Sequence, residues 1–239
     1  MSIYPIKAIV WDLDGTLIHF KIDFIKARKE ALKIFQKNGV PENLLSLKSK
    51  TLDNAKIARN YFESMGISES KINQIMQDAN SAIAKVEYEA AINPTMVKGI
   101  DKVLEFAKNH DLKQAIFTYN TQENAKISLA NINLLHYFEL IVGRDNIKNP
   151  KPHPDHLKLI CDKLTVKTQE IVVIGDMGRD IEAALNVEAH SILIYTKLSK
   201  YFKSNAYKKA DIIIKPKEIP FKLIRTLEKL LEINKKNYK

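Results

Sequence analysis

A chain of 239 residues, 45% hydrophobic and 28% charged, can bury a full core as one large domain or as a medium domain with a smaller insert, which excludes disorder as its main state. Lys and Arg outnumber Asp and Glu by 38 to 28, and the stretch from Lys197 to Lys239 holds 13 basic residues against 4 acidic ones. Such an end attracts phosphate-bearing partners or nucleic acid, but its lysines are not interleaved into an aromatic stacking platform, so a solvated surface is the simpler reading.

Short apolar runs alternate with amphipathic helical patterns along the chain, the signature of a parallel sheet flanked by helices. Lys7 to Trp11 is the first predicted strand. No basic segment, apolar stretch and small-residue cleavage site precede it, and apolar runs such as Ala8 to Trp11 and Ile171 to Ile174 fall far short of the roughly 18 residues of a membrane helix. A cytoplasmic protein without a membrane partner is expected.

Far more chain separates this strand from the next, Gln114 to Thr118, than the dozen or so residues a crossover needs. The insert reads as helical. Ile25, Ala27, Leu32 and Phe35 mark one apolar face, and Ala55, Ala58, Tyr61 and Phe62 a second. A third helix opens at Ser68 with Glu69 in its first turn, carries Ile72, Ile75, Met76, Ala79, Ile83 and Val86, and is ended by Asn93-Pro94. A helical lid at residues 20–93 is therefore expected inside an α/β core built from 1–19 and 94–239, which resumes with a helix from Val97 to Asn109. The remaining predicted strands are Leu140 to Gly143, Ile171 to Gly175, Ser191 to Tyr195 and Asp211 to Ile214. A last helix, Phe221 to Ile233, sets Leu223, Leu227, Leu230 and Leu231 on one side. The single Cys161, at helical spacing from Leu157 and Leu164, reads as a buried bystander.

Ligands of open parallel sheets bind beyond the carboxyl ends of the strands, so the polar residues there carry the chemistry. The first strand delivers Asp12 and Asp14, followed by Gly15, which lets the backbone turn away, and Thr16. The second ends at Thr118-Tyr119-Asn120, a hydroxyl and an amide placed either to bind phosphate oxygens or to cap a helix. The third leads into Lys151-Pro152-His153-Pro154, a stiffened loop presenting an ammonium. The fourth ends at Gly175-Asp176 with Asp180 four residues on, a spacing that stacks two carboxylates on one helix face for a hard cation such as Mg²⁺. His153 and His156, three apart, suggest zinc only weakly, because no second cluster completes a site.

Taken together, Asp12-x-Asp14-Gly15-Thr16, Thr118, Lys151-Pro152 and Gly175-Asp176-x-x-x-Asp180 resemble the motifs of the haloacid dehalogenase superfamily, in the branch of phosphoglycolate phosphatase and β-phosphoglucomutase, whose lid follows the first motif. The resemblance implies a three-layer Rossmann-like core with an inserted helical cap. It implies Asp12 as nucleophile, Asp14 as acid and base, and Lys151 as the cation that offsets charge. Mg²⁺ would be bound by the Asp12 carboxylate, the Asp14 backbone carbonyl and Asp176, with Asp180 as ligand or support. Thr118, Asn120, Lys151, Gly15 and Thr16 would hold phosphate. Dehalogenase members lack an aspartate at the Asp14 position, which points this chain to phosphatase or phosphotransferase chemistry on a small phosphorylated metabolite. A mutase of the same architecture and a basic nucleic-acid-binding module are the alternatives. Tyr119 and Arg179 depart from the commonest pattern. Lys26, Arg28, Lys56 and Arg59 of the lid are candidates for a second anionic group of the substrate, and His19 for the lid entrance.

Overall fold

A computed structural model describes residues 5–19, 23–200 and 205–236, with the backbone alone at 198, 200 and 232–236. Six parallel strands form one sheet: β1 (Ala8–Trp11), β2 (Lys113–Phe117), β3 (Leu140–Val142), β4 (Ile171–Gly175), β5 (His190–Ile194) and β6 (Ile212–Ile214). Their order is β3-β2-β1-β4-β5-β6. Among the described residues the helices are α1 (Phe24–Lys37), α2 (Thr51–Ser64), α3 (Glu69–Ala91), α4 (Ile100–Asn109), α5 (Gln122–Asn131), α6 (Pro154–Leu164), α7 (Gly178–Leu185) and α8 (Phe221–Lys236).

The strands are near-continuous Ile, Val and Ala because parallel sheets are covered on both faces. Alternation along each strand then sends neighbours to opposite layers. Ile9, Trp11, Ile116, Val172 and Ile174 pack with Val103 and Leu104 of α4, Leu129 of α5 and Leu223 and Leu227 of α8. Ala8, Val10, Phe117 and Val173 pack on the other side with Leu157, Ile160 and Cys161 of α6 and Ala183 and Ala184 of α7. The result is a three-layer Rossmann-like α/β architecture. Burial pushes the Cys161 thiol up to about 12, so it stays protonated and inert.

The chain divides into two compact units, Met1–Phe20 with Asn93–Lys239, and Lys21–Ile92. The second unit has its own core of Ala31, Leu32, Phe35, Ala58, Phe62, Ile72, Ile75 and Ala79. Asp23 caps α1 by accepting from the Lys26 N–H, and Ser68 caps α3 by accepting from the Lys71 N–H.

Two sequence expectations are corrected. Ile25 is 66% exposed, because the buried face of α1 is the i,i+4 row of Ala27, Ala31 and Phe35 with Leu32 beside it. The helix expected from Val97 opens only at Ile100. Val97 is held in extended pairing, its N–H donating to Leu17 O at 2.9 Å while the His19 N–H donates to Thr95 O at 2.8 Å, and Ile18 and Met96 form an antiparallel bridge. His19 is exposed within this pair of segments, where the chain leaves the first unit and returns to it. Of the basic stretch 197–239, residues 201–204 and 237–239 lie outside the described residues. No described helix is long and apolar enough to cross a membrane.

Candidate active site

Asp12 is the first residue beyond β1. Its N–H still donates to Ile174 O of β4 at 2.8 Å, so the sheet itself carries the side chain to the carboxyl edge. The chain then folds back in a tight loop in which the N–H groups of Thr16, Leu17 and Ile18 all donate to Leu13 O, anchored by the fully buried Leu13 and Leu17. Gly15 adopts φ +95°, and a Cβ there would stand 2.3 Å from Asp176 Oδ2. Only glycine satisfies both constraints. The Gly15 N–H donates to Ile18 O at 2.7 Å, and the Thr16 hydroxyl donates to Asp12 Oδ2 at 3.1 Å. Gly15 and Thr16, expected to hold phosphate, here close the loop and orient Asp12.

Lys151 follows β3 from a distance in sequence yet reaches the same point. Its Nζ lies 2.5 Å from Asp12 Oδ1 and 2.8 Å from Asp180 Oδ1, donates to Phe117 O at 2.9 Å, and stands 4.0 Å over the Phe117 ring. The side chain is 0% exposed. Burial alone would push this ammonium down, but Asp12 and Asp180 outweigh it and hold its pKa above the ordinary lysine value.

Asp176 and Asp180 come from the end of β4 and the first turn of α7. A Cβ on Gly175 would lie 2.4 Å from Asp180 Cβ, so glycine is what lets α7 start so close to the strand. Asp180 Oδ2 accepts from the Met177 N–H at 2.9 Å and so fixes that turn. Asp12, Asp176 and Asp180 each present a carboxylate oxygen within 4.8 Å of the others, all buried. Three carboxylates face one ammonium. The imbalance shows in the acids: burial, then the charges of Asp12 and Asp180, push Asp176 up to about 8, and burial raises Asp12 against the pull of Lys151. Asp176 Oδ1 is buried with no hydrogen-bond partner. An oxygen-only donor set with surplus negative charge and an orphaned carboxylate oxygen fits a hard divalent cation such as Mg²⁺.

The Asp14 carboxylate is outside this trio, half-buried, with Asn120 Nδ2 3.5 Å from its Oδ2. Thr118 accepts from the Asn120 N–H at 2.9 Å, and Asn120 Oδ1 accepts from the Thr121 N–H at 3.0 Å. The cap of α5 is Thr121, not Thr118, so the strand-end hydroxyl is not consumed by a helix terminus. Tyr119 and Arg179, noted separately in the sequence, meet: the guanidinium carbon lies 4.3 Å from the centre of the Tyr119 ring.

Two residues escaped the sequence reading. His156, weighed only for zinc, accepts from the Lys151 N–H through Nδ1 at 3.2 Å, and its Nε2–H donates to Val142 O at 3.1 Å. It therefore fixes the backbone of Lys151, while His153 caps α6. The signal available was helical spacing, which puts His156 in line with Ile160 on the buried face of α6. Thr196, just beyond β5, lies 3.5 Å from Asp176 Oδ2. Its sequence signal is its place two residues beyond the apolar run of β5.

Within the helical unit, Lys26 pairs with Glu89 at 2.5 Å, Arg28 donates to Leu47 O, and Arg59 bonds Glu69 and Asn73, both at 2.9 Å. Lys56 is exposed. Three of the four cations considered for a second anion are thus engaged by neighbours in their own unit.

Fold and site define a class: an α/β protein with a buried lysine and a cluster of aspartates gathered at the carboxyl ends of a parallel sheet. The chain belongs to the haloacid dehalogenase-like hydrolases, whose family profile matches residues 9–194. It is similar to a phosphorylated carbohydrates phosphatase of Thermotoga maritima, 24% identical over 223 residues that cover 89% of this chain and 96% of that one. It is also similar to the pyrophosphatase PpaX of Bacillus cereus, 26% identical over 206 residues, covering 85% of this chain and 89% of the relative. Among solved structures, β-phosphoglucomutase from Clostridium difficile shares the fold, with a TM-score of 0.63, 20% identity, and coverage of 98% of this chain and 100% of that one.

Proposed function

We propose that the protein is a Mg²⁺-dependent phosphatase that hydrolyses the monoester of a small phosphorylated metabolite through an aspartyl-phosphate on Asp12. The observation that carries this reading is the state of Asp12. It is a buried carboxylate whose two oxygens are separately held, one by Lys151 and one by Thr16, beside the Asp176 and Asp180 carboxylates. A carboxylate restrained in this way is presented as a nucleophile rather than as a general base.

In this mechanism an Asp12 oxygen bonds to phosphorus as the ester P–O bond breaks, and Asp14, outside the carboxylate trio, gives its proton to the departing oxygen. Asp14 then takes a proton from water, whose oxygen attacks the phosphorus of the aspartyl-phosphate. The bond from phosphorus to Asp12 breaks and phosphate leaves. Lys151 keeps Asp12 in line, and Thr118 and Asn120 offer polar groups to the phosphoryl oxygens. When bound by Asp12 and Asp176, with Asp180 beside them, Mg²⁺ supplies the positive charge that lets a carboxylate approach an anionic ester. We assign the Lys21–Ile92 unit the part of a cap that discriminates among substrates.

A panel of phosphorylated metabolites assayed with Mg²⁺ present and chelated tests the reading. Phosphate release that needs the metal and vanishes in Asp12→Asn supports it. Hydrolysis surviving in that variant removes the assigned nucleophile, and isomerised hexose phosphates without phosphate release would make the protein a mutase.

A further inference from the structure

The Tyr119–Arg179 stack joins the loop that follows β2 to the first turn of α7, which follows β4, and both of those strands are neighbours of β1. Adjacent strands lie about 4.8 Å apart, so β2 and β4 are separated by about twice that, and side chains from their ends meet only across the end of β1. The stack therefore spans the sector into which Asp12 and Asp14 project. Thr118, Asn120 and Asp180 are buried, whereas Tyr119 and Arg179, each next to one of them in the chain, are half-buried. The loop carrying Tyr119 is itself clamped, since Arg144 Nη1 donates to Tyr119 O at 2.6 Å.

An in-line displacement places the leaving group on the side of phosphorus away from the nucleophile, here outward from the buried Asp12 toward this rim. Stacking uses the face of a guanidinium, whereas carboxylates and phosphates are bound in a bidentate manner through its in-plane N–H groups. Of the cations of the helical unit, Lys26, Arg28 and Arg59 are tied to Glu89, Leu47 and Glu69 of their own unit.

We propose that Arg179, held flat against Tyr119, is a specificity-determining residue that binds a second anionic group, carboxylate or phosphate, carried by the leaving group within a few bonds of the phosphate ester. The proposal rests on the phosphatase reading and narrows its substrate class to doubly anionic metabolites.

Four substrates separate the possibilities: phosphoglycolate, with a carboxylate; pyrophosphate, with a second phosphate; 2-hydroxyethyl phosphate, the neutral counterpart of phosphoglycolate; and p-nitrophenyl phosphate. The wild-type kcat/KM should favour at least one of the first two over 2-hydroxyethyl phosphate by about ten- to a hundredfold, the range of a charge-assisted contact, and the favoured one identifies the anion. Arg179→Met should reduce that preference to within about threefold, Arg179→Lys should restore part of it, and Tyr119→Leu should weaken it with the charge intact. A wild type that shows no preference overturns the proposal. So does an Arg179→Met variant that keeps the preference, or one that slows all four substrates by one common factor, which would assign Arg179 to the transferred phosphoryl group. If Arg179→Met fails to fold, the Lys and Tyr119 variants decide. A wild type inactive on every substrate would instead count against the phosphatase reading.

Discussion

Asp176 and His156 sit in the same buried environment and respond to pH in opposite directions. Asp176 has its pKa raised to about 8, first by burial and then by its acidic neighbours. Its contribution to stability is complete below the unfolded value of about 3.9 and is lost as pH rises through about 8. The metal-free protein should therefore lose thermal stability between pH 5 and pH 8. Added Mg²⁺ should restore it more at the upper end, and Asp176→Asn should flatten both responses in a thermal-shift series. His156 is lowered to about 4 by burial and then by Lys151. Its neutral form stabilises the fold above pH 6.5, and that contribution disappears as pH falls toward 4, by about 3 kcal/mol for a shift of this size. His156→Gln should remove most of this acid dependence. Gly15→Ala places a Cβ against Asp176 at a positive φ, and activity should fall more than about a hundredfold, the usual scale when reacting groups are displaced by an ångström. In the sequence Asp12 and Asp176 follow apolar runs that stop abruptly, while Lys151 is marked by its proline-stiffened loop and Asp180 by its i,i+4 spacing from Asp176, and the structure brings these four side chains together. The sequence did not disclose that Arg179 meets Tyr119, because their contact depends on which strands are neighbours and 60 residues of chain separate them.

At the scale of elements, β1 is fixed to β2 by more than its ladder. Trp11 Nε1–H donates to Gln114 Oε1, and Gln114 Nε2 donates to Leu104 O of α4, each at 3.1 Å and buried. Gln114→Leu strands two buried polar groups, and urea denaturation should show a loss of about 2–4 kcal/mol. Ser68→Ala removes the α3 cap and should cost about 1 kcal/mol. Strands were legible to within one residue at most ends, since two covered faces demand unbroken Ile, Val and Ala. Helix faces were less so. Ile25 reads as core by hydropathy, and only the packing of Ala31, Leu32 and Phe35 with α2 and α3 turns it outward. Val97 reads as helical until its pairing with Leu17, a long-range contact with no local signature, claims it.

For the whole molecule, all six strands belong to one unit, and the segments leading to and from the other are joined by the hydrogen bonds of Leu17 and His19 with Val97 and Thr95. Replacing residues 21–92 by a short Gly/Ser linker should therefore leave a folded core, read by circular dichroism, that still hydrolyses p-nitrophenyl phosphate while losing discrimination among metabolites. That same connectivity sets an order of events on the ribosome. β1 emerges before its partners, which begin at Lys113 and Ile171, so the central strand of the sheet leaves the exit tunnel with both edges open. Chain is made at about 5–20 residues per second, so those edges wait several seconds for β2 and longer for β4. The helical unit between them can close its own core during that interval. Asp12, the proposed nucleophile, is thus translated well before the strands that place it, and a nascent chain arrested before residue 171 carries it on a strand that lacks one flank.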